Sequence, residues 1–112
     1  MLGIRADQFQ FLADDEISRR IVLFLRDRAQ GYVSRFAMRD LYALTNRLIA
    51  RATEFHIHSE REITKFVLIG VIAGEDIFKQ DGIVAYFLQS EGNELRVDPL
   101  LQRVIEDLPQ YR

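Results

Sequence analysis

The chain has 112 residues with no break in composition, so a single domain large enough to bury a real core is expected. Apolar residues at 48% and charged residues at 29% exclude a disordered chain. The absence of cysteine excludes disulfide frameworks, thiolate zinc sites and thiol nucleophiles. No basic segment at the start leads into an apolar run of signal-peptide length, and the longest apolar run, residues 66–73, falls far short of the roughly 20 needed to cross a bilayer. A reducing, cytoplasmic setting without membrane insertion is therefore expected.

The first helix is expected over residues 5–29, where Phe9, Leu12, Ala13, Ile17, Ile21, Phe24 and Leu25 repeat at intervals of three and four and define one stripe. Asp14, Asp15, Glu16, Arg19, Arg20, Arg26 and Arg28 lie opposite, and Gly31 is expected to stop the helix. A second helix is expected over residues 34–55, with Ser34 as its N-cap and Ala37, Met38, Leu41, Leu44, Leu48, Ala52 and Phe55 on one face. The short connection favours an antiparallel hairpin.

Residues 59–74 form the stretch around which the rest is organised. Ser59 with Glu62 three residues later has capping-box spacing, and Gly74 stands where the helix should end. Between them Ile63, Phe66, Val67, Ile69, Val71 and Ile72 leave almost no polar face after Lys65, so this helix must be surrounded by others. The acidic segment 75–82 reads as a loop with Phe78 plugged into the core. Asp81 can cap a short helix that Gly92 and Asn93 terminate. Asp98 followed by Pro99 marks the start of a last helix, carrying Leu100, Leu101, Val104, Ile105 and Leu108 and ended by Pro109. No run alternates as a strand does. The expected fold is all-α, a single compact domain (1–112) of about five helices around a central buried helix, and eight Phe point to aromatic anchors in the core.

Residues that could carry chemistry are few. His56 and His58 form an H-x-H pair beside Glu54 and Glu60, but the spacing suits a strand rather than a loop between helices. Glu75, Asp76 and Asp81 do not meet the pattern of a calcium loop. Asp14 and Asp15 read as solvated charges on a polar helix face, and no glycine-rich phosphate loop occurs. Neither catalysis, a metal nor a cofactor is expected.

Charge is uneven although the total is −2. Arg35, Arg39, Arg47 and Arg51 outnumber Asp40 and Glu54 on the second helix, whereas residues 75–112 hold eight acids against four bases. A pI near 5.7 and the lack of a recognisable motif argue against nucleic acid. Arginine's planar fork suits protein interfaces, so a protein partner is expected to dock around Arg39, Arg47, Arg51 and His56. The acidic C-terminal part with Tyr86 and Tyr111 is the competing surface. The bland alternative is that these arginines pair with acids of the same chain.

Three short motifs run through the chain: Ile4-Arg5-x-x-Gln8, then Ile49-x-Arg51-Ala52 continuing to Ile57-x-Ser59-Glu60, and Gly74-x-x-x-Phe78. They resemble a family of small bacterial proteins encoded beside type VI secretion spike and effector genes; where that family has Gly before Ile, this chain has His56. The resemblance implies a non-catalytic adaptor or chaperone for an effector or spike protein, with effector immunity as the chief alternative and a nucleic-acid-binding regulator as the second. Association of two copies stays open.

Overall fold

The computed structural model describes residues 6–88 and 94–107, with side chains from residue 16 to 88 and from 96 to 107. Gly92, Asn93, Leu108, Pro109, Tyr111 and the opening Ile4 and Arg5 lie outside them. The fold is all-α. Among the described residues the elements are α1 (Ala6–Arg28), α2 (Gln30–Val33), α3 (Met38–Glu54), α4 (Glu60–Ala73), a 3₁₀ helix (Glu75–Lys79), α5 (Asp81–Leu88) and α6 (Glu94–Glu106), with no strand. No helix among them is long and apolar enough to cross a membrane. Internal contacts divide the chain into two units, Met1–Asn46 and Arg47–Arg112, whose boundary falls inside α3.

In the first unit α1 buries Ser18, Ile21, Val22 and Leu25, and Ala29 follows on the same side. These steps of three and four give the core stripe, but Phe24, expected on it, is 48% exposed. Phe24 is rotated about 100° from Leu25, so it cannot share the face that Val22, Leu25 and Ala29 already fix. Gly31 does not stop α1. The helix ends at Arg28, the chain breaks at Ala29 (φ −132°, ψ 36°), and a single further turn, α2, contains Gly31. That turn buries Val33 and packs on α1. Ser34 does not cap the next helix either: its backbone N–H donates to the Gln30 carbonyl at 3.0 Å and closes α2. Helix α3 opens four residues later, at Met38, with the Leu41 N–H donating to the Ala37 carbonyl at 2.9 Å. The buried Ser18 hydroxyl donates to Asn46 Oδ1 and ties α1 to α3.

The second unit is built on α4, as its sequence requires. Ser59 Oγ accepts from the Glu62 N–H at 3.3 Å, Gly74 closes the helix at φ 94°, and Ile63, Phe66, Val67, Ile69, Gly70, Val71 and Ile72 are buried. The segment after Gly74 is a 3₁₀ helix rather than a loop, and it drives Phe78 into the core. Phe78 stacks on Phe66 with ring centres 3.9 Å apart, and Phe87 of α5 stacks on Phe55 at 4.9 Å, so four phenylalanines close the centre. Asp81 lies in the first turn of α5 rather than before it, since the Val84 N–H donates to the Gln80 carbonyl.

Helix α6 packs along α4 and begins at Glu94, five residues before Pro99, not at Asp98. Proline in the second turn leaves one carbonyl without its donor. Tertiary anchors offset that loss: Val97 is fully buried, Tyr86 Oη donates to the Arg96 carbonyl at 2.7 Å, and Lys65 Nζ lies 3.1 Å from Asp98 Oδ1. The start signal was real, but packing upstream of it wins.

Candidate interaction surfaces

Of the expected docking residues, Arg39 is exposed in the first unit, whereas Arg47, Arg51 and His56 belong to the second. Arg47 forks onto Glu75, Nε to Oε2 at 3.0 Å and Nη2 to Oε1 at 2.9 Å, a bidentate pair that joins α3 to the 3₁₀ helix. These hydrogen bonds hold the Glu75 carboxyl below its ordinary value and raise the Arg47 guanidinium above its own. Arg51 is spent three ways. It donates to Glu54 at 2.7 Å and to the Phe78 carbonyl at 2.8 Å, and its guanidinium sits 4.6 Å over the Phe55 ring. Both arginines thus fasten the strap that carries Phe78.

His56 is exposed and takes φ 63°, the left-handed region that glycine favours. The surrounding bonds explain it. The Ile57 N–H donates to the Ala52 carbonyl at 3.0 Å and the His56 N–H to the Thr53 carbonyl at 2.9 Å, the paired bonds of a Schellman ending with His56 as the left-handed residue. Ile57 and Ala52, both fully buried, supply its hydrophobic contact. The His56 and His58 rings are 6.2 Å apart, and no group of three or more potential metal-ligating side chains occurs among the described residues. On the competing acidic surface, Tyr86 is engaged by Arg96, whose guanidinium lies 5.2 Å above its ring.

A surface that the charge pattern did not single out lies wholly in the first unit. Leu23, Val33, Phe36, Met38 and Leu41 line an open hollow of about 510 Å³ together with Arg26, Asp27, Gln30 and Ser34. Leu23 is 51% exposed and Met38 39%, and Phe24 adds a third large apolar side chain beside Leu23 in sequence. Met38 had been expected in the core; at the first residue of α3 it instead meets Arg26, whose Nη1 lies 3.7 Å from the sulfur. A signal for this surface was present in the sequence. Ile21-Val22-Leu23-Phe24-Leu25 is five apolar residues in a row, and since a helix turns 100° per residue they cannot all face one core.

No protein-family model, curated protein or solved structure matches the chain.

Proposed function

We propose that this chain is a non-catalytic protein-interaction module of a type VI secretion cluster, acting as adaptor or chaperone for an effector or spike protein. The observation that carries the interaction part is that the exposed apolar side chains Leu23 and Met38 line a hollow of about 510 Å³. Scattered exposed leucines are ordinary on any surface, but large apolar side chains gathered at a concavity mark a place where another molecule is covered. The secretion part rests on the resemblance. The docking surface in this reading is the hollow of the first unit with neighbouring Arg39, rather than Arg47 and Arg51, whose donors are directed at Glu75, Glu54 and the Phe78 carbonyl.

Capture by the tagged chain from a bacterial lysate, followed by mass spectrometry, tests the reading. An adaptor recovers effector or spike subunits. Recovery of one effector whose toxicity the chain suppresses would replace the adaptor role with immunity. Loss of every captured protein on nuclease treatment would replace both with nucleic-acid binding.

A further inference from the structure

We infer that the hollow of the first unit receives an acidic amphipathic helix of a partner protein, its apolar side chains seated among Leu23, Val33, Met38 and Leu41 and a carboxylate facing Arg26. This inference rests on the protein-interaction reading and specifies the chemistry of the segment bound.

Three observations carry it. The first is size: about 510 Å³ falls within the roughly 300–1,000 Å³ of sites that enclose a drug-sized apolar ligand, which leaves room for two large side chains one helical turn apart. The second is charge. The first unit, residues 1–46, holds seven arginines against six acids, an excess of one positive charge (7 − 6) in a protein whose total is −2. The third is the local pairing. Asp27, the one acid in the lining, is already met by Arg28 at 3.1 Å, while Arg26 reaches across the hollow to the Met38 sulfur, a weak acceptor that a carboxylate would displace. Concavity favours a helix over a lipid surface, because membrane-binding side chains have to project outward.

The test uses the full chain and a labelled synthetic peptide with leucines at i, i+4 and i+7 among glutamates, compared by fluorescence anisotropy with a twin carrying lysine for every glutamate. The acidic peptide should bind at least about 10-fold more tightly than its twin near physiological salt. Leu23→Asp should weaken it by about 10-fold or more, and Arg26→Glu with Arg39→Glu should erase the preference between the twins. Circular dichroism melting identifies any variant that fails to fold; the exposed Arg26→Glu change then carries the test alone. Equal binding of the twins, no binding, or binding of phosphatidylserine vesicles in place of the peptide would overturn the inference. Lysate capture that survives Leu23→Asp and Arg26→Glu would remove the hollow while leaving the interaction reading intact. Peptide binding without any captured protein would do the reverse.

Discussion

Leu48 of α3 fills the space that a side chain at Gly70 of α4 would need. A β-carbon added there would lie 2.6 and 2.7 Å from the two δ-carbons of Leu48. Leu48 is fully buried and can make room only by pressing on the side chains that bury it, so Gly70→Ala should destabilise the protein by about 1–3 kcal/mol. Leu48→Ala alone should cost about 2–5 kcal/mol, and the double variant should lose clearly less than the sum. Additive losses in denaturant unfolding would show that the two residues do not share that space.

At His56 the prediction runs the other way. A non-glycine residue in the left-handed region costs about 1–2 kcal/mol, of which glycine returns roughly 0.5–1 kcal/mol through its looser unfolded chain. His56→Gly should therefore be neutral or stabilising by up to about 1 kcal/mol, and His56→Val, β-branched at φ 63°, destabilising by about 1–2 kcal/mol. A His56→Gly protein that melted well below the parent would refute the Schellman account.

Acid should loosen the strap over Phe78. The bonds from Arg47 hold the Glu75 carboxyl below its ordinary value, so the unfolded chain takes up that proton first. The stability it contributes is complete above the ordinary carboxylate range and is lost as the pH falls from there through the lowered folded value. Glu75→Gln should remove this part of the acid slope. A parallel acid profile in the variant would place the acid sensitivity elsewhere.

Thr45 is fully buried in α3, and its hydroxyl has no hydrogen-bond partner among the described residues. Thr45→Val keeps the shape and removes the stranded group, so it should be neutral or stabilising by about 1 kcal/mol in thermal unfolding. Destabilisation by a similar amount would reveal a bonded hydroxyl.

Much of the fold could be read from the chain because its signals were local. Ser59, Glu62 and Gly74 bracket α4, and the run between them has no polar side to expose. The signals that misled were local as well. Pro99 and Ser34 are good starts for a helix, but the burial of Val97 and the turn that seats Val33 outweigh them, and both depend on residues distant in sequence. Arg47 and Arg51 were legible as a basic stripe. That Glu75 and the Phe78 carbonyl receive them was not, since those partners stand 28 and 27 positions away. The Schellman ending at His56 was hidden because no glycine announced it.

Two pairs of charge-introducing variants bear most directly on the central claim, that a partner docks on the first unit's hollow while Arg47 and Arg51 hold the fold. Melting temperature and lysate capture should be measured on each pair. Arg47→Glu with Arg51→Glu sets like charges against Glu75 and Glu54 and strands the Phe78 carbonyl, a loss of about 2–4 kcal/mol that should lower the melting temperature by roughly 10 °C or more. Capture by the protein that remains folded should persist. Leu23→Asp with Arg26→Glu, both on exposed positions, should leave the melting temperature within a few degrees, about half a kcal/mol each, and abolish capture. The opposite pattern, capture lost with an unchanged melting temperature in the Arg47 and Arg51 variant and retained in the Leu23 and Arg26 variant, would contradict the account.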